Sequence, residues 1–144
     1  MRIPAVAATA LALTALFGTA ASAQDFDGDI SVRDRATISY DGTLTLSGGY
    51  RCDAPSPARR VFVTSSLVQD GKRVGFGGTE AVCDGQWHEW RGSGQVDRFL
   101  RMGFHDGPAR VDARLVTLEE EGGLPSPRAL AGHEQPVHLD DARS

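Results

Sequence analysis

The sequence predicts an all-β domain. Three observations carry this. No stretch keeps apolar residues at a helical period, whereas several short segments alternate apolar and polar residues as half-buried strands do. Asp-Gly dipeptides punctuate the chain at Asp27-Gly28, Asp41-Gly42, Asp70-Gly71, Asp84-Gly85 and Asp106-Gly107. Asp and Gly tolerate the positive φ that tight hairpin turns demand, and Asn, the other residue suited to such turns, does not occur here. The two cysteines, Cys52 and Cys83, sit on separate segments and suit one bridge between strands.

The first 23 residues are read apart from the fold. Arg2 gives a positive start, Ala5 to Ala20 carry no charge, and Ala21-Ser22-Ala23 is small at both positions a signal peptidase reads. This predicts an export signal over 1–23, cut before Gln24. Its apolar run is too short for a stable membrane span, and no later segment resembles one. The expected product is secreted and extracellular.

Residues 24–37 are read as an N-terminal arm and the start of the first strand, which would run from Ile30 to Tyr40 with Arg33-Asp34-Arg35 interrupting it. Thr43 to Cys52 is the clearest strand: Leu44, Leu46, Gly48, Tyr50 and Cys52 share one face, and the Thr and Ser residues share the other. Arg60 to Gln69 follows, with Val61, Val63 and Leu67 together. Asp70-Gly71 then makes a two-residue turn into Lys72 to Gly77. A short strand leads to Cys83, and Asp84-Gly85 turns the chain into Gln86 to Arg91. Arg98 to Phe104 is the next strand. Arg110 to Leu118 places Val111, Ala113 and Leu115 inward. A polar excursion then runs through Pro125 and Pro127 to a last strand over Glu134 to Leu139. The β-domain thus spans 38–139, and 140–144 is expected to be a disordered tail. Such a pattern, with about 7–9 strands and one disulfide, describes an immunoglobulin-like β-sandwich. Both tryptophans follow Cys83, whereas immunoglobulin domains place one between the cysteines, so the topology is its own.

Beyond the signal the chain carries 14 basic and 19 acidic residues, a net charge of −5. Arg dominates over the single Lys72, the usage of a GC-rich genome. No basic patch stands out, which argues against nucleic acid and anionic membranes as partners.

From about Ile38 to Leu139 the chain resembles a family of small secreted actinobacterial proteins known as a domain of unknown function. The residues are Asp41-Gly42-Thr43-Leu44-Thr45-Leu46-Ser47-Gly48-Gly49-Tyr50-Arg51-Cys52, then Val61 to Gln69, Val82-Cys83-Asp84-Gly85 with Trp90, and Gln135-Pro136-Val137. The resemblance implies a signal peptide, one disulfide and a β-sandwich, and no activity.

No constellation assembles catalytic chemistry. Asp25-Phe26-Asp27-Gly28-Asp29 alternates acids as calcium loops do, but Ile30 and Ala36 stand where an EF-hand needs Gly and Glu. His88, His105, His133 and His138 lack zinc-ligand spacing. Ser65 and Ser66 lie in mid-strand without a nucleophile elbow. Gly75-Phe76-Gly77-Gly78 precedes no helix that could cradle phosphate. No cofactor and no metal are expected. Trp87, Phe62 and Phe76 are the candidate binding patch, since exposed aromatics together mark a contact surface. Trp87 and Trp90 are three apart, so a strand puts them on opposite faces, with Trp90 in the core. The expected function is a non-catalytic binding or interaction module for an extracellular protein, glycan or small ligand. The alternatives are an inhibitor of a secreted hydrolase, working through Leu124-Pro125-Ser126-Pro127-Arg128, a carrier of a small apolar ligand, and an enzyme of unfamiliar type.

Overall fold

The structure, a computed structural model, describes residues 26–55, 59–96 and 103–143. The expected export signal lies outside them, as do residues 98–102 of the expected Arg98–Phe104 strand. Eight strands follow in order: β1 (Gly28–Ile30), β2 (Arg35–Ile38), β3 (Thr43–Cys52), β4 (Phe62–Gln69), β5 (Lys72–Glu80), β6 (His88–Gln95), β7 (Gly107–Glu121) and β8 (Leu124–Asp141). The all-β class holds, and Cys52 and Cys83 are joined by a disulfide.

Hydrogen bonding links the strands into one open sheet of order β1-β3-β2-β8-β7-β4-β5, with β6 on the other edge of β3. The sequence predicts the two separate sheets of a sandwich; the ladders form one. The physical reason is the parallel pairing of β2 with β8, from Arg35–His138 to Ile38–Asp141, which joins the two halves. All other pairings are antiparallel. The sheet curls so that Gly92 and Gly94 of β6 lie against Phe76 of β5. A Cβ at Gly94 would press on the Phe76 ring, so glycine is what lets the two ends of the sheet approach.

β3 organises the core. Its alternation is complete, burying Leu44, Leu46, Gly48, Tyr50 and Cys52 while the intervening residues stay half-exposed. β4 buries Val63, Ser65, Leu67 and Gln69 in the same way. Asp70-Gly71 joins β4 to β5 with positive φ at both residues, the twist a two-residue hairpin turn requires. Asp27-Gly28 makes no turn; Gly28 opens β1. The short strand expected before Cys83 is the end of β5, which runs on to Glu80; residues 81–83 are irregular. Closing the 31-residue span between the cysteines stabilises the fold by about 3–4 kcal/mol in the chain-entropy description.

β1 and β2 both run along β3, and the register slips by two residues between Ile30–Tyr50 and Thr37–Thr45. The interruption expected near Arg33-Asp34-Arg35 is this slip. The Ser31 and Arg33 amides still bond to Gly49 O and Ser47 O in the β1 register, so the slip falls after Arg33, and three carbonyls of this stretch find partners outside β3. Ser31 O accepts from Trp90 Nε1 at 2.8 Å, Val32 O from Gln135 Nε2 at 3.1 Å, and Asp34 O from the His138 amide at 2.8 Å.

The expected polar excursion is strand throughout. β7 and β8 form one long hairpin, turning at Gly122-Gly123, both with positive φ. The prolines that read as loop sit where a strand tolerates them. Alternate residues of an antiparallel strand turn their N–H away from the partner. The His138 amide points to β2 rather than β7, and Pro136, two residues earlier, shares that phase. Pro125 and Pro127 would be out of phase with it, but a bulge between Leu115 and Val116 shifts the register by one residue. All three nitrogens therefore face the outer edge of β8, where no N–H is missed and edge-to-edge pairing is blunted. Asp140 and Asp141, expected in the disordered tail, are the last residues of β8. Arg35 grips the Asp140 carboxylate at 2.6 and 2.9 Å, and Arg143 grips Asp141.

The two tryptophans straddle Gly48-Gly49. Trp90 pairs with Gly48 and is 4% exposed, while Trp87 rests against Gly49 on the outer face and is 58% exposed. Replacing Trp90 by Ala should cost about 3–5 kcal/mol. Replacing Trp87 should change stability by less than about 1 kcal/mol, as for surface sites. Urea denaturation of the two variants reads the difference; equal losses would contradict this placement.

Candidate functional site: a cleft between β5 and β6

Beyond the Phe76 contact, the end of β5 and the start of β6 border a cleft of about 260 Å³. Tyr50, Val63, Ser65 and Trp90 line it from below, each less than 8% exposed. Exposed Thr79, Glu80, Glu89 and Arg91 stand at its rim. Alternation explains the floor. Val63 and Ser65 are on the inner face of β4, Tyr50 on that of β3, and Trp90 on that of β6. Gly77 leaves room where a side chain would fill it, since a Cβ there meets nothing within 4 Å; at Gly92 a Cβ would collide with the Ser65 oxygen.

The polar atoms of the floor differ in their commitments. The Tyr50 hydroxyl accepts the Val82 N–H at 2.9 Å, which fixes the segment beside the disulfide. Trp90 Nε1 is spent on Ser31 O. The Ser65 hydroxyl has no hydrogen-bond partner among the described residues, although the residue is only 7% exposed. Rim charges are paired: Glu80 with Arg60 at 2.9 Å, and Glu89 with Arg33 at 3.4 Å and Arg91 at 3.7 Å. The Arg60 hydrogen bond holds the Glu80 carboxyl below its ordinary range.

The residues expected to form a patch do not converge. Phe62 is on the outer face of β4 with Arg60 above its ring, whereas Phe76 packs inward against the core. Among the described residues no ring contact links either to Trp87. Leu124 to Arg128 is strand paired with the end of β7, not a free loop. Ser66 accepts from Arg73, on the face opposite Ser65. Asp27 accepts from Arg51, and Asp29 lies in β1. Ser65 as a cleft residue went unnoticed in the sequence. Its signal was a small polar residue at an inward position between Val63 and Leu67.

A second polar cluster sits at the opposite end of β4. Gln69, 2% exposed, donates to His105 O and Pro108 O and accepts the His105 N–H, pinning the start of β7. His105 meets Asp70 Oδ2 at 2.7 Å and the Asp106 carbonyl at 2.9 Å. A carbonyl and a carboxylate both accept, so this geometry favours the form in which both ring nitrogens donate, the imidazolium. Nearby, Asp106, His138 and Asp140 each bring a possible metal-ligating atom to within 4.8 Å of the others. Both carboxylates already have partners, Arg35 on Asp140 and the Asp141 amide on Asp106. That pairing accounts for the trio as the clasp between β2, β7 and β8.

Residues 27–142 match a family of unknown function, DUF6299. The chain belongs to that family. No curated protein matches this DUF6299 chain. Among solved structures it is similar to the alkylpurine DNA glycosylase AlkC of Pseudomonas fluorescens, bound to DNA containing an abasic site analog, with 11% identity and a TM-score of 0.40. It is also similar to Spo0M, a sporulation control protein of Bacillus subtilis, with 11% identity and a TM-score of 0.33. Each likeness covers 81% of the DUF6299 chain but 30% and 49% of those chains.

The Asp70 hydrogen bond lifts the His105 pKa above the ordinary histidine value. A raised folded-state pKa stabilises the fold at low pH, and that contribution is lost as pH rises through the raised value. An NMR titration should place His105 above ordinary histidine. Asp70→Asn, which suits the positive φ of Asp70, should lower it; an unchanged midpoint would contradict the contact.

Proposed function

We propose that this DUF6299 protein is a secreted, non-catalytic binding module, and that the β5–β6 cleft is where it binds a small extracellular ligand. The observation that carries this is the cleft floor, built from core residues and holding an uncommitted hydroxyl. Ligand sites are commonly concave and mostly apolar, with few placed polar groups. The non-catalytic reading rests on Ser65, the polar group at the base of the cleft, which has no hydrogen-bonded base to take its proton. Of the other readings, a small-ligand carrier gains from the cleft. The inhibitor reading loses its exposed loop.

Secretion is supported by the Ala21-Ser22-Ala23 site after an uncharged apolar run and by a disulfide suited to an oxidising compartment. The actinobacterial resemblance of Asp41 to Cys52 agrees with it. The acidic balance and the absence of a basic patch speak against nucleic acid as the partner.

Two measurements test this reading. Protein recovered from culture medium should have the intact mass of a chain starting at Gln24; retention of the apolar segment would refute the processing. Toluene, an apolar probe of suitable size, should shift amide resonances of Tyr50, Val63 and Trp90 in an NMR titration, and Gly77→Phe should abolish the shifts. Shifts confined to the outer face around Trp87 and Gly49 would place the binding surface there instead.

A further inference from the structure

We infer that the cleft selects an uncharged, ring-sized molecule bearing a hydroxyl or carbonyl group, which the Ser65 hydroxyl anchors. This rests on the cleft being the binding site and adds the chemistry of its occupant.

Size comes first. A cavity of about 150 Å³ accepts benzene. The cleft, at about 260 Å³, takes a substituted ring. It falls just below the range of drug-sized sites, about 300–1,000 Å³, so a single ring fills it.

Charge comes second. The floor carries no ionisable group that faces a ligand unpaired: Val63 and Ser65 are neutral, the Tyr50 hydroxyl is engaged by Val82, and the Trp90 indole by Ser31. At the rim, Glu80 and Glu89 are each held by arginine. A charged ligand would enter a floor that offers it no counter-ion.

The hydrogen-bonding group comes third. The Ser65 hydroxyl makes no hydrogen bond to another described residue and opens into the cleft, so whatever occupies the cleft is its available partner. Ser65 is flanked on the sheet by Ala113 and Phe76, neither of which has a polar side chain. Across from it is Gly92, where a Cβ would come within 2.6 Å of the Ser65 oxygen. Glycine there keeps the hydroxyl reachable. The hydroxyl offers one donor and accepts as well. It therefore suits a carbonyl or a hydroxyl, and gives nothing to a pure hydrocarbon.

Benzyl alcohol and toluene, which differ by one hydroxyl, test this on the full secreted protein by NMR titration. Removing one hydrogen bond is worth up to about ten-fold in affinity. The ratio of benzyl alcohol affinity to toluene affinity should therefore fall about five- to ten-fold in Ser65→Ala, with toluene affinity retained as the sign that the cleft is intact. Gly77→Phe should block both probes. If the ratio is unchanged in Ser65→Ala while Gly77→Phe still blocks both, the anchor is wrong and the cleft reading survives; a water held by Ser65 would give this result. If Gly77→Phe blocks neither probe, the cleft reading fails and the anchor fails with it.

Discussion

The fold turns on the stretch from Ser31 to Asp34, which carries the chain from β1 into β2. An uninterrupted strand from β1 into β2 would spend its backbone groups on β3 and a single opposite neighbour. Three carbonyls of this stretch face away from β3 instead, and they go to two other strands. Ser31 O takes the Trp90 indole of β6, Val32 O the Gln135 amide of β8, and Asp34 O the His138 backbone of β8. The two halves of the sheet meet there. Gly48 is the constraint that makes it possible, because any Cβ at that position would overlap the Ser31 carbonyl oxygen. The indole crosses above Gly48 to reach that oxygen. Buried hydrogen bonds of this kind contribute modestly when made and cost more when one partner is removed. Losing Trp90 would leave Ser31 O unpaired as well as opening a cavity.

The same economy governs the edges. An open sheet exposes strand edges that invite pairing with other chains. β8 offers the longest such edge, from Leu124 to Pro136, and its three prolines all turn their nitrogens there. The bulge at Leu115/Val116 is what brings Pro136 into phase with Pro125 and Pro127. At β6 the device is different. Gly92 and Gly94 let the strand fold over Phe76, so one end of its inner face is covered by the protein itself. The other end stays uncovered, and the cleft is there.

Much of this was legible in the sequence where a rule acts over a few residues. Thr43 to Cys52 alternates without exception, and the strand has those bounds. Asp70-Gly71 turns as the dipeptide demands. The three-residue spacing of Trp87 and Trp90 put one in the core and one in solvent, although β6 starts only at His88 and Trp87 precedes it. Long-range pairing was not legible. Nothing local in Arg35 to Ile38 announces a parallel partner a hundred residues away. Pro125 and Pro127 read as loop because their tolerance depends on which edge is free, and that is decided by β2 and by the bulge. Phe62 and Phe76 were grouped on sequence proximity, yet the pairing of Ser65 with Phe76 and of Phe62 with Glu80 sends them to opposite faces. Ser65 itself looked ordinary, since its lack of a partner is a property of Ala113, Phe76 and Gly92 around it.

That last point links scaffold to function. Two other buried polar side chains are tied into the fold. Gln69 makes three hydrogen bonds to one short segment, and Thr117 donates to Arg60 O. Surface charges pair across strands, as Arg110 does with Glu134 and Arg128 with Glu119, contacts that individually add little stability. Ser65 differs from Gln69 and Thr117 in that its hydroxyl opens into the cleft and bonds to no described residue. Alanine would fill the same inward position of β4 without burying a hydroxyl, and no described contact of the fold needs the oxygen. Stability gives no reason for a serine there, whereas recognition of a polar group on a small apolar molecule does. Gly77 points the same way: a Cβ there would meet nothing within 4 Å, so it forgoes packing and leaves the cleft open, whereas Gly92 is small because a Cβ would collide with the Ser65 oxygen.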